Sequence, residues 1–215
     1  MSSSKSSCYG TRPLTVWSEM RAGVLLIVLI GSGVFLSGCI LVRGGNLEPP
    51  GMWPPTSTAE KKALSLTVTA KPVDKSEAGL KRQQLQEGQA QKAYMESGLF
   101  SQVTLTKGAS ALHVNVEYLE EGSQALASIS GFISGFTFGI IPGYAEAELI
   151  TVTIFEDQTG KELGSIRKSE TCSFWVQLFL IAVMPFREEP QATARGIYYD
   201  LNRATIDQAH ASGIF

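Results

Sequence analysis

Leu64-Ser65-Leu66-Thr67-Val68-Thr69-Ala70 alternates apolar and hydroxyl side chains, and the same period of two returns in residues 111–118 and 149–155. That period places alternate residues on opposite faces, the pattern of a half-buried strand. In 111–118 it puts Leu112, Val114, Val116 and Tyr118 on one side, and in 149–155 it puts Ile150, Val152 and Ile154 opposite Thr151 and Thr153. Residues 76–97 lack alternation. They are rich in Gln, Lys, Glu, Leu and Ala, with Ser76 placed to cap a helix, Ala90, Ala93, Tyr94 and Ser97 on one face, and Gly98 at the stop. Residues 103–106 are expected to form a hairpin with 111–118 through 107–110. A second hairpin is expected from 149–155 through a turn at 157–160 into a polar edge strand at 161–169. Pro190 suits a first helical turn, and Ala194, Ile197, Tyr198, Leu201 and Thr205 then keep helical spacing up to Gly213. The order β-α-β-β, apolar segment, β-β, apolar segment, α predicts an α+β fold with an antiparallel-rich sheet and helices on one face.

The two apolar segments bracket the second hairpin. Residues 122–145 carry no charge over 24 positions, and Gly131, Gly135 and Gly139 recur every fourth residue. On a helix those glycines share a face and admit another backbone closely, while Phe132, Phe136 and Phe138 point elsewhere. Residues 171–186 carry no charge over 16 positions and include Trp175 and Phe179. Both are expected to be helical and to end near Pro142 and Pro185. The first is long enough for a bilayer, the second suited to the interface. Three uses remain open: packing inside the domain or in a homo-oligomer, contact with a membrane, or docking of another envelope protein. Gly131, Gly135, Gly139, Phe136, Trp175 and Phe179 are the candidate contact residues.

Upstream, residues 22–36 form an apolar run behind Arg21 that is too short for an ordinary membrane span and has the shape of a secretory signal. It closes on Leu36-Ser37-Gly38-Cys39, which resembles the lipobox of bacterial lipoproteins. The resemblance implies cleavage before Cys39 and a diacylglycerol and acyl chains, such as palmitate, on its sulfur and amine. Two or more chains hold a protein stably where one, at about 0.8 kcal/mol per buried CH₂, does not. Ile40 follows the cysteine where inner-membrane retention in enteric-type lipoproteins goes with Asp, so the resemblance implies an outer-membrane protein facing the periplasm. Residues 1–38 are therefore expected to be a signal peptide, with Met20 an alternative start because Met20-Arg21 and the apolar run make a compact signal alone. Residues 39–62 contain Gly44, Gly45, Pro49, Pro50, Gly51, Pro54 and Pro55 and are expected to be an extended lipidated tether. Residues 63–215 are then the α+β domain.

The chain has 215 residues, 44% of them hydrophobic and 18% charged, and a formal net charge of −2. Losing residues 1–38 removes Lys5, Arg12, Arg21 and Glu19, which leaves the remainder slightly more acidic and argues against nucleic acid as a partner. Only two histidines are present, and HExxH, GxSxG, Walker and CxxC patterns are absent. His113 falls mid-strand and His210 in a last helical turn. Glu120, Glu121, Glu146, Glu148 and Asp157 suit solvated strand ends, and Cys172 beside an apolar run suits burial. No catalytic residue, metal site or cofactor is expected. Gly98-Leu99-Phe100 before a strand, and Gly139-Ile140-Ile141-Pro142 before another, resemble corners in a diffuse group of small bacterial outer-membrane lipoproteins of unassigned function. That resemblance implies a non-enzymatic periplasmic module that binds or assembles with envelope components. The alternative expectation is a transport or lipid-handling auxiliary whose apolar segments contact or enter the membrane.

Overall fold

The computed structural model describes residues 38–47, 52–57, 60–105, 110–137, 140–177, 179–180, 186 and 188–215. Residues 1–37, Phe138, Gly139 and most of 178–187 lie outside the described residues. The chain is α+β, as expected. Its strands are β1 (Gly38–Arg43), β2 (Lys62–Lys71), β3 (Phe100–Thr104), β4 (Leu112–Gly122), β5 (Gly143–Asp157) and β6 (Glu162–Gln177). The helices among the described residues are α1 (Glu77–Glu96), α2 (Gln124–Phe136) and α3 (Pro190–Ala211). One mixed sheet runs β1-β6-β5-β4-β2-β3 and is mostly antiparallel, with β2 parallel to both β3 and β4.

Alternation forms the core where it was expected. Leu64, Leu66 and Val68 of β2 and Leu112, Val114, Val116 and Tyr118 of β4 are buried against Ala90, Ala93 and Tyr94 of α1 and Tyr198 and Ile206 of α3. Ser76 caps α1, its Oγ accepting from the Gly79 N–H at 3.1 Å, and Gly98 follows the helix at φ +67°. Pro190 opens α3 as its first residue. Register places Thr153 beside Val116 and Thr151 beside Tyr118, so the threonine side of β5 faces the helices and both threonines are fully buried. Ser65, on the other face, is covered in register by His113, whose Nδ1 lies 2.5 Å from the serine Oγ.

Three expectations are corrected. β3 and β4 do not form a hairpin, because β2 lies between them. β3 pairs with the start of β2 (Ser65 with Thr104), and β4 begins at that same level (Ser65 with His113). A short link therefore joins two parallel strands where an unstaggered pair needs a dozen or more residues. The 39–62 stretch is not all tether, since Gly38–Arg43 is a strand paired antiparallel with the end of β6. The return strand β6 is an edge over 162–169, as expected, and is covered by β1 only over 172–177. Residues 171–177 are strand, not helix: Thr171–Gln177 completes β6 between β5 and β1, and a strand paired on both sides tolerates a continuous apolar run.

The 122–145 window does hold a helix, but only the 13 residues of α2. At 1.5 Å per residue these span roughly 20 Å, short of the roughly 30 Å of hydrocarbon in a bilayer. Among the described residues no helix is long and apolar enough to cross a membrane.

Candidate functional site

The site is built at the end of the sheet where β1, β6 and β5 meet. Cys39, a half-buried free thiol, pairs in register with Val176, and Val176 pairs on its other side with Gly143 at the start of β5. Two interstrand steps of about 4.8 Å put Cys39 and Gly143 roughly 10 Å apart. The candidate residue Trp175 and its neighbour Phe174 stand opposite Ile40 and Leu41 of β1.

A buried carboxylate fixes the exit from β1. Glu170 of β6 is fully buried and accepts from the N–H groups of Gly45 at 2.7 Å, Asn46 at 3.3 Å and Leu47 at 3.3 Å. Arg43 Nη2 reaches the same carboxylate at 3.4 Å, while its Nη1 donates to Asp200 of α3 at 2.6 Å. The Gly44 N–H donates to the Thr171 carbonyl at 2.7 Å. Successive N–H groups converging on one carboxylate form an anion-binding concavity, here filled by the protein itself. Behind it, Ile197 and Leu201 of α3 pack with Cys172, Leu41, Leu47 and Ala147. The strand beginning at Cys39 is thus tied to β6 and α3 by ladder, ion pair and packing, with no slack over 39–47.

Beside this strand, α2 is amphipathic in the reverse sense. Its inward side is Ala127, Ser130 and Ser134, with Ser134 buried. Ser130 Oγ accepts from the Tyr144 N–H, and Ser134 Oγ donates to the Val176 carbonyl at 3.4 Å. Its outward side is Leu126, Ile129, Phe132 and Phe136, exposed by 67%, 59%, 75% and 79%. Phe132 and Phe136 stack with centroids 6.4 Å apart. Nearby Ile140, Ile141 and Phe179 are also exposed, and Tyr144 packs on Trp175 at 4.6 Å. The helix docks closely because Gly143 has no side chain: a Cβ there would lie 3.0 Å from Ser134 Cβ. Gly143→Ala is expected to cost about 1–3 kcal/mol through overpacking, read as a lower urea midpoint in equilibrium unfolding.

Of the candidate contact residues, Phe136, Trp175 and Phe179 lie on this end and are exposed. Gly131 and Gly135 lie on α2, but a Cβ at either would meet nothing within 4 Å, so no other element among the described residues uses the close approach they permit. Gly139 lies outside the described residues. Sequence reasoning missed Ser130, Ser134, Gly143, Arg43 and Glu170; only the serines at four-residue spacing in α2 signalled a face.

Several other reactive side chains are engaged in the fold. Glu120 and Glu121 pair with Arg82 and Arg167 at 2.9 and 3.5 Å. The Asp157 carboxylate accepts from Thr159 and Lys161 in its turn, and the Thr159 hydroxyl holds it below the usual carboxylate range. Cys172 is buried, and burial pushes its thiol up, aided by the Glu120 and Glu170 carboxylates. A cavity of about 540 Å³ opens between α1, α2 and the sheet, lined by Gly79, Gln86, Tyr118, Glu120, Ala127 and Leu149.

No protein-family model matches the chain, and no curated protein sequence matches it. Among solved structures it is similar to the PelC dodecamer from Paraburkholderia phytofirmans, with 8% identity over 78% of this chain and 96% of that chain and a TM-score of 0.37. It is also similar to a minor lipoprotein from Acinetobacter baumannii, with 16% identity over 69% of this chain and 91% of that chain and a TM-score of 0.38. At these TM-scores the likeness assigns no residue a role.

Proposed function

We propose that this chain is a lipid-anchored protein of the bacterial cell envelope, acylated on Cys39 after removal of residues 1–38, that binds or assembles with other envelope components and has no catalytic role. The observation that carries the reading is the position of Cys39. The residue that closes the lipobox-like Leu36-Ser37-Gly38-Cys39 is the second residue of an edge strand at the end of the sheet that carries the exposed apolar side chains of α2. Cleavage before it leaves Cys39 as the first residue of β1. Ile40 in the following position favours the outer membrane as the destination. The absence of a catalytic role is supported by the commitments of the polar side chains: His113 to Ser65, Glu120 and Glu121 to arginines, and Cys172 to the interior. A second reading, a lipid-handling auxiliary, is favoured by the cavity beside α2, and mass spectrometry of lipids retained by the purified protein would reveal its cargo.

Metabolic labelling with an alkyne palmitate tests the reading. The wild-type protein is expected to be labelled and to stay with membranes, and Cys39→Ser is expected to lose the label entirely. An unlabelled wild-type protein, or a labelled Cys39→Ser variant, would overturn it.

A further inference from the structure

We propose that α2, with Trp175 and Phe179 at the same end of the sheet, is a foot that lies in the interfacial layer of the bilayer carrying the Cys39 acyl chains. This rests on the reading above and goes further, because it assigns the apolar end an occupant and the molecule an orientation.

The argument starts from the reversed helix. A surface helix ordinarily buries its large apolar side chains and shows its small polar ones to water. α2 turns Ser130 and Ser134 to the sheet, where both are hydrogen-bonded, and leaves Leu126, Ile129, Phe132 and Phe136 uncovered. The helix is docked through its polar side, so its apolar side is held outward by specific bonds. A contiguous apolar surface of this kind marks a contact.

Three observations select the bilayer as what covers it. First, Gly143 beneath α2 lies two strand spacings, roughly 10 Å, from Cys39, so acyl chains leaving Cys39 enter the membrane beside the helix. Second, β1 is held by Glu170, Arg43 and α3, so the anchor cannot carry this end away from the membrane. A protein partner or second copy seated on α2 would have to occupy the space between the domain and its own anchor. Third, residues 122–145 carry no charge, and at 13 residues α2 is too short to span but long enough to lie in the plane of the interface with its apolar side buried. Trp175 and Tyr144, packed ring against ring at this end of the sheet on the face opposite α2, are amphipathic aromatic side chains of the kind that favour the headgroup level. The β5–β6 hairpin tip at 157–160, at the far end of those strands, then points away from the membrane.

Depth-dependent quenching tests the orientation. The acylated protein, in a Trp53→Phe, Trp175→Phe background, carries its single tryptophan either as Phe132→Trp or as Gln158→Trp. Each is reconstituted in phosphatidylethanolamine–phosphatidylglycerol vesicles with brominated acyl chains. The Phe132→Trp fluorescence is expected to fall by about half or more and Gln158→Trp to be unaffected, as only the former lies at acyl depth. Equal quenching at both positions, or none at position 132 in palmitate-labelled protein, overturns the foot while leaving the anchor standing; failure of labelling overturns the anchor instead. Flotation of the unacylated Cys39→Ser protein with the same vesicles is the second measurement. Adding Leu126→Ser, Phe132→Ser and Phe136→Ser is expected to reduce bound protein about ten-fold or more at unchanged melting temperature, since all three side chains are exposed. Undiminished flotation, or a self-association of Cys39→Ser that the same three substitutions abolish in place of flotation, contradicts it.

Discussion

Glu170→Ala is expected to lower the unfolding free energy by about 3 kcal/mol, seen as a fall in melting temperature of roughly 6–12 °C for a domain of this size. The carboxylate is fully buried and receives three backbone N–H groups and the Arg43 guanidinium. Removing it leaves those donors facing one another with no acceptor, which costs more than the net worth of the bonds themselves. The loss is expected to be local as well as global. Amide hydrogen exchange of residues 40–43 should accelerate strongly while β4 stays protected, because β1 is an edge strand whose far end is held by this turn. Glu170→Gln retains one oxygen acceptor and is expected to cost less. Unchanged protection of β1 in Glu170→Ala would show that the Glu170 carboxylate is not what holds β1.

Leu201→Ala is the second large effect, about 2–5 kcal/mol. Leu201 is fully buried and joins α3 to Cys172 and to Leu41, Leu47 and Ala147, the packed surface behind the anchor strand. Because Asp200 beside it holds Arg43, the two substitutions act on one structural unit. Combined in a double-mutant cycle, Glu170→Ala and Leu201→Ala are expected to be less than additive, with a coupling of at least about 0.5 kcal/mol in urea midpoints at constant m. Strict additivity would mean that α3 and the Glu170 turn support β1 independently.

How far the sequence led can be argued residue by residue. Leu64, Leu66 and Val68, and Leu112 to Tyr118, alternate because one face of each strand meets helices, so period two was sufficient to find both strands and the core. Pairing was not legible. Adjacent strands default to a hairpin, and nothing in 103–118 announces that β2 is inserted between β3 and β4. β1 was hidden because Ile40, Leu41 and Val42 continue the apolar signal run and precede glycines and prolines, so its strand character shows only against β6. Residues 171–177 misled for the opposite reason, since pairing on two sides removes the polar alternation that marks a half-exposed strand.

The candidate site divides the same way. Cys39 was singled out by four residues and an apolar run. The direction α2 faces was not, because periodicity locates a helix's apolar stripe without saying whether protein, water or lipid will meet it. Ser130 and Ser134 decide that, by bonding the Tyr144 amide and the Val176 carbonyl of strands distant in sequence. The four-residue glycine spacing, which drew attention to the segment, marks at Gly131 and Gly135 a side that nothing among the described residues approaches.

The central claim, that Cys39 anchors a rigid apolar end to the bilayer, is tested most directly by mass spectrometry of the N-terminal peptide of protein purified from cell membranes. The account predicts a peptide that begins at Cys39 and carries the added mass of a diacylglyceryl group with or without a further N-linked acyl chain. A mature N-terminus that retains residues 22–36, or an unmodified Cys39 at that position, would contradict it.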